Sequence, residues 1–91
     1  MNKQELVIKL AEQTGTYKAV AEKFVNAFTN IVSEALAEGD KVQLIGFGTF
    51  ETRERAARMA RNPQDGSPLQ IPASTVPAFK AGKAFKDAVN K

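Results

Sequence analysis

The reading of this chain turns on residues 53–72, RERAARMARNPQDGSPLQIP. This stretch holds all four arginines of the protein, and the window Pro63–Pro77 holds all four prolines. Its large apolar residues are only Met59, Leu69 and Ile71, too few to make the centre of a core. A polar, Arg-rich excursion between well-patterned segments suggests a projecting element that meets something negatively charged. Arginine suits that task because its planar guanidinium stays charged and forks onto phosphate oxygens. The rest of the chain uses lysine, nine residues of it, and no further arginine.

Two local structures compete for this stretch. Ala56 to Arg61 are strong helix formers, and on a helix Arg55, Arg58 and Arg61 would share one face. Against that, Arg53 and Arg55 alternate, as do Leu69 and Ile71, and Asn62-Pro63-Gln64-Asp65-Gly66 between them is turn chemistry. That pattern fits a two-stranded ribbon. Residue physics leaves the two readings level.

Working outward, 91 residues predict one domain, near the size at which a single core is marginal and a partner subunit becomes plausible. There is no cysteine and no histidine. That removes disulfides, thiolate metal sites and the commonest general base and metal ligand. Ser33, Ser67 and Ser74 have no evident activating base, so an enzyme is the weakest reading. No signal-peptide pattern opens the chain and no apolar run reaches membrane-spanning length, so a soluble intracellular protein is expected. Net charge is +3, unevenly placed: residues 1–40 carry four Lys against six acidic residues, and residues 41–91 carry nine basic against four acidic. An acidic half that supports and a basic half that contacts suits a nucleic-acid binder.

In chain order, Asn2 with Glu5 three residues on makes a capping-box pattern, and Gly15 is a stop, predicting a helix over about 3–14. Apolar residues from Val20 to Leu36, Phe28 and Ile31 among them, recur at three- and four-residue spacing and predict a long helix over about 18–38. Its apolar face is too wide for one chain to cover, and part of it reads as a subunit interface. Lys41–Ile45 and Thr49–Arg55 read as strands about a Gly46-Phe47-Gly48 reversal, with Phe47 and Phe50 as core aromatics. The two glycines lack the length and the Lys-Ser/Thr ending of a P-loop. Ala73–Lys80 reads as a third strand, with Val76 and Phe79 as buried candidates. Pro77 is tolerated there only at an edge or a strand end. Lys83–Asn90 reads as a short last helix. Lys80, Lys83 and Lys86 recur every three residues around its start as a second basic patch.

The segment GDKVQLIGFGTFETRERAARMARNPQDG, followed by IPAS, VPAFK and GKAFKDAV, closely resembles the bacterial histone-like HU and integration-host-factor family. The likeness runs essentially end to end without gaps. It implies an α+β fold: an intertwined dimer with a helical base, a three-stranded antiparallel sheet and a protruding two-stranded β-arm per subunit. It also implies a ribbon, not a helix, for residues 53–76. One domain over 1–91 is expected, with a helical dimerisation part over 1–40 and the sheet, arm and last helix over 41–91.

By the same resemblance the partner is double-stranded DNA, bound in the minor groove with little sequence preference, bent and compacted. Such arm-bearing minor-groove proteins are a known architectural type, with this family a named example. Arg53, Arg55, Arg58 and Arg61 would line the arm, and Asn62, Pro63 and Gln64 would form its tip. Pro63 would wedge between base pairs. Lys3, Lys80, Lys83 and Lys86 would form the body surface for flanking DNA. Phe47, Phe50 and Phe79 would be structural, with Phe28 and Ile31 on the dimer side. No cofactor, metal, membrane or small-molecule substrate is expected, and the expected location is the cytoplasm, on the nucleoid.

The sequence departs from the family's usual pattern in several places. Met59 and Ala60 replace a basic residue and a glycine, Ala81 stands where a turn proline is common, and Thr75 replaces a lysine. Tyr17 replaces a capping hydroxyl, a role that would pass to Thr16. Two fewer positive charges per chain predict weaker binding and a shallower salt dependence. The alternatives are a sequence-selective bender of the integration-host-factor type, commonly a heterodimer with a paralogue, and a non-DNA assembly protein with an acidic partner.

Overall fold

The computed structural model describes residues 1–90; Lys91, the last residue of the expected domain, lies outside them. The chain divides into two compact units, Met1–Ala35 and Leu36 onward.

The first unit is helical. Helix α1 spans Lys3–Thr14 and helix α2 spans Lys18–Ala37, which continues two residues into the second unit. The Asn2 side chain accepts a hydrogen bond from the Glu5 N–H at 2.9 Å, satisfying one of the orphan donors of the first turn. Such a cap is worth about 1 kcal/mol. Gly15 ends α1, its N–H reaching the Ala11 carbonyl. The Tyr17 carbonyl accepts the first bond of α2, from Ala21 at 3.0 Å, while the Tyr17 ring stays exposed. The expected shift of the cap to Thr16 is not what the structure shows: the Thr16 hydroxyl instead lies 2.9 Å from that of Thr14.

Burial in this unit is thin. Val7, Ala11 and Ala21 are its buried core, with Leu10 and Val25 packed against them. Further along α2, Phe24, Phe28 and Ile31 keep 52%, 44% and 61% of their surface accessible. One chain therefore leaves part of the apolar stripe of α2 exposed, at Phe24, Phe28 and Ile31.

The second unit holds a three-stranded antiparallel sheet in the order β1-β2-β5. Its strands are β1 (Val42–Leu44), β2 (Gly48–Arg55) and β5 (Ser74–Ala81). Leu44 to Phe47 is the reversal between β1 and β2, closed by a 2.9 Å bond from the Phe47 N–H to the Leu44 carbonyl. A separate two-stranded ribbon pairs β3 (Arg58–Arg61) with β4 (Pro68–Ile71). Helix α3, Lys83–Val89, closes the unit. Pro77 lies inside β5, where an edge strand tolerates a missing N–H.

Register fixes which side chains share a face. Phe50 stands opposite Phe79, and Val42 opposite Phe50. The Phe50 and Phe79 rings are 4.9 Å apart, Phe47 and Phe79 5.2 Å, and Phe47 stacks on Phe85 at 4.8 Å. Contacts of this kind contribute about 0.5–1.5 kcal/mol per pair beyond area burial. Phe47, Phe50 and Phe79 thus pack against one another, and Phe85 of α3 joins them. Gly48 admits this packing: a Cβ there would come within 2.5 Å of the Phe79 ring and 2.6 Å of the Lys80 carbonyl.

Two expectations are corrected. Val76 and Phe79 are half-buried rather than buried, and being three residues apart they lie on opposite faces, Val76 across from Arg53. Ala81 is not in a turn: it ends β5 opposite Gly48, and the chain turns at Gly82, whose N–H donates to the Phe47 carbonyl at 2.8 Å.

Candidate nucleic-acid interface

The helical reading of residues 55–61 is excluded by the structure, because Arg58–Arg61 is strand. Local chemistry explains why propensity loses. The residue before a proline is pushed away from the α region, which ends any helix at Asn62. Pairing with Pro68–Ile71 then satisfies backbone groups that a six-residue helix would leave open. Ala56-Ala57 and Pro72-Ala73 separate the ribbon from the sheet, two residues on each side. The register is the same across that break, since Arg55 opposes Ser74 and Arg58 opposes Ile71 with two residues skipped on both strands. Sheet and ribbon therefore form one interrupted hairpin running from Gly48 to Ala81.

One face of the sheet carries the Phe cluster. Its other face carries Thr49 opposite Lys80, Glu51 opposite Ala78, Arg53 opposite Val76 and Arg55 opposite Ser74. Lys80, Arg53 and Arg55 thus lie along one side of a single hairpin, and all three are exposed. Further out, Arg58 and Arg61 are exposed on β3, on opposite faces because they are three residues apart. Arg58 shares its face with Ala60, Leu69 and Ile71, and Arg61 with Met59, Pro68 and Gln70.

The tip of the ribbon is tightly bonded. Asn62 N–H donates to the Ser67 carbonyl and Gly66 N–H to the Asn62 carbonyl, both at 2.8 Å. The Asn62 side chain accepts from the Gln64 N–H at 2.9 Å. Asp65 Oδ1 accepts from the Ser67 N–H at 2.9 Å and from its hydroxyl at 2.6 Å. Arg61 reaches the Gly66 carbonyl at 3.3 Å. Gly66 has φ 72, the left-handed region where a side chain is disfavoured. Pro63 and Gln64 are exposed at this tip, and Asn62 is half-buried. The Ser67 hydroxyl, then its N–H, hold the Asp65 carboxyl below its usual range.

The remaining expected contacts fall in two places. Lys83 and Lys86 are exposed on α3, just beyond Lys80. Lys3 is exposed in the first turn of α1, in the helical unit, where it lines a groove of about 350 Å³ with Gln4, Val7, Ile8, Lys18 and Glu22. Among the described residues no group of three His, Cys, Asp or Glu could hold a metal, and no helix is long and apolar enough to cross a membrane.

Sequence reasoning missed three features. Glu51 sits among the cations of the arginine face. Thr75 lies on the other face, opposite Glu54, and its hydroxyl donates to the Glu54 carboxylate at 2.8 Å. Asp65 and Ser67 tie the tip. Only the last had a local signal, an Asp whose side chain can bond the backbone two residues on. The other two depend on register, which no single strand announces.

Residues 1–90 match the model of the family described as bacterial DNA-binding protein. The chain belongs to this family, and within it to the HU type. It is 65% identical to the DNA-binding protein HU of Lactococcus lactis over 88 residues, covering 97% of each chain. It is 62% identical to the DNA-binding protein HU of Geobacillus stearothermophilus over 89 residues, covering 98% of this chain and 99% of the relative. Among solved structures, the Anabaena HU–DNA cocrystal structure superposes with a TM-score of 0.94 at 48% identity, covering 98% of this chain and 97% of that one. The HU of Thermotoga maritima matches at a TM-score of 0.70 and 34% identity, covering 98% of both. The helical base, antiparallel sheet and ribbon described above are the HU-type architecture.

Proposed function

We propose that the protein is an architectural, non-catalytic DNA-binding protein, acting as a homodimer on the bacterial nucleoid in the cytoplasm. It binds duplex DNA in the minor groove with little sequence preference, bends and compacts it, and favours DNA that is already bent, nicked or flexible. The observation that carries this reading is the hairpin face on which Lys80, Arg53 and Arg55 follow one another towards a ribbon bearing Arg58, Arg61 and an exposed Pro63. Family membership and the DNA-bound relative support it. Phosphate contacts fix position without reading sequence, so arginines and lysines along a ribbon bind many sequences alike. Pro63 supplies a rigid apolar wedge, and unstacking a base step costs about a few kcal/mol, offset by the wrapped contacts that the bend permits. Lys83, Lys86 and Lys3 extend the basic surface to flanking DNA. The exposed stripe of Phe24, Phe28 and Ile31 supports a second copy as its cover.

The test is fluorescence anisotropy on several unrelated duplexes of equal length, intact and nicked, across a salt series, with sedimentation to give the mass of the bound species. Similar affinities, a steep fall with salt, tighter binding to nicked DNA and a dimer are expected. One duplex bound far more tightly than the rest would replace this reading with sequence-selective bending. No binding at low salt would overturn it.

A further inference from the structure

A two-stranded ribbon has no core to hold its end, and an isolated hairpin is at best marginally stable in water. Four N–H groups at the end of this ribbon are nevertheless bonded within the loop, two to backbone carbonyls and two to side chains. From Asn62 to Ser67 the N–H groups of Asn62, Gln64, Gly66 and Ser67 all have acceptors within the loop. Pro63 has no N–H to satisfy. Asp65 supplies the acceptor on the descending side: one oxygen takes both the N–H and the hydroxyl of Ser67. That double contact fixes the residue after Gly66, whose left-handed conformation turns the chain back. Gly66 in turn is tied to the ascending side, donating to the Asn62 carbonyl and accepting from Arg61. The Ser67 hydroxyl and then its N–H favour the ionised form of this carboxyl and hold it below its usual range.

We propose that Asp65 is a positioning residue that orders the tip before DNA arrives, so that Pro63 is presented in one fixed attitude. The claim rests on the proposed role of Pro63. It concerns arrangement, since a carboxylate gains nothing by touching a polyanion and an anion so close to the wedge weakens attraction to phosphate. Its compensation is pre-organisation: a loop ordered in the free protein loses less entropy when it binds.

The test compares Asp65→Ala with Asp65→Asn, which remove the same charge but differ in whether an oxygen remains for Ser67. Two readouts are needed. The first is the 1H–15N heteronuclear NOE of Gln64, Gly66 and Ser67 in the free protein, and the second is bending of an end-labelled nicked duplex by energy transfer. In Asp65→Ala the tip NOEs should fall to values typical of a mobile loop, and affinity for the nicked duplex should drop about fivefold relative to Asp65→Asn, the loss of one net hydrogen bond. Asp65→Asn should keep the wild-type NOEs and bend. Unchanged NOEs in Asp65→Ala overturn the lock while leaving the proposed function intact. Lost NOEs with unchanged bending and affinity show that tip order does not position Pro63, and overturn the inference. Failure of the wild-type protein to bend any duplex overturns the proposed function and this role for Asp65 together.

Discussion

Replacing Thr75 by lysine tests whether the two faces of the hairpin are electrostatically distinct. A count of charges says that Thr75→Lys restores a phosphate contact. The structure says otherwise, because position 75 is opposite Glu54, its hydroxyl already donates to that carboxylate, and the face is the one away from Arg53 and Arg55. A lysine there meets Glu54 within ion-pair distance, an attraction of about 1 kcal/mol in water at 4 Å. The pair is then neutral to a distant phosphate. Each cation that contacts a phosphate steepens the slope of log K against log salt by about 0.9, so two new contacts in a dimer would change it by about 1.8. Between 50 and 200 mM salt that difference amounts to about twelvefold in affinity. The expected slope for Thr75→Lys is that of the wild type within about 0.3, well short of a full contact. Glu51→Gln is the matched control. It removes a negative charge from the arginine face itself, between Thr49 and Arg53 and opposite Ala78, and should tighten binding several-fold at low salt. Anisotropy titrations at four or five salt concentrations measure both. A slope steeper by about 1.8 in Thr75→Lys would refute the assignment of faces.

Two further outcomes follow from other parts of the molecule. Gly48→Ala drives a methyl group to 2.5 Å from the Phe79 ring and 2.6 Å from the Lys80 carbonyl, and a backbone oxygen cannot step aside as a side chain does. Overpacking of this kind costs about 1–3 kcal/mol, enough to lower the melting temperature by at least about 4 °C. Calorimetry at fixed protein concentration reads it, and a shift under 1 °C would count against the packing described. The second concerns pH. The Asp65 carboxyl is lowered by the Ser67 hydroxyl and then its N–H, so its bonds are intact above the usual aspartate range and are lost only as pH falls through the depressed value. Following the Ser67 amide shift down from neutral pH should give a midpoint below 3.8; one at or above it would mean that the bonds do not hold.

How far the residues alone reached is clearest at α2 and at Arg58–Arg61. The recurrence from Val20 to Leu36 sets the long helix to within a residue, because a 3.6-residue period is a property of the stretch itself. Asn2 and Glu5 likewise mark the start of α1. Arg58–Arg61 was undecidable, since its helix propensity is local whereas the strand that outcompetes it begins at Pro68. Family resemblance, not propensity, resolved that point. Site residues follow the same division. Residue type picked out Arg53, Arg55 and Lys80, and the family resemblance picked out Pro63. That Arg53, Arg55 and Lys80 share a face while Thr75 does not is set by pairing between two strands distant in the chain.

The carboxylates of the hairpin bear on what kind of binder this is. Residues 41–91 contain four acidic groups, and Glu51, Glu54 and Asp65 all lie on the hairpin that carries every arginine. For a protein selected for affinity to a polyanion, each is a liability. Two have visible structural returns: Glu54 bonds Thr75 across the strands where the ribbon leaves the sheet, and Asp65 bonds Ser67 at the tip. Both act where a ribbon two strands wide has no packing to stiffen it. Charge that would strengthen attraction to every duplex equally is exchanged for order at the base and end of the arm. Uniform attraction does not discriminate between stiff and kinked DNA, whereas a stiff arm does, because a duplex that must be bent to fit it pays a deformation energy that a flexible or nicked one avoids. If the proposed tip order holds, Glu54 and Asp65 trade binding strength for shape selection, and neutralising them with Glu54→Gln and Asp65→Asn should raise affinity for intact duplex more than for nicked duplex.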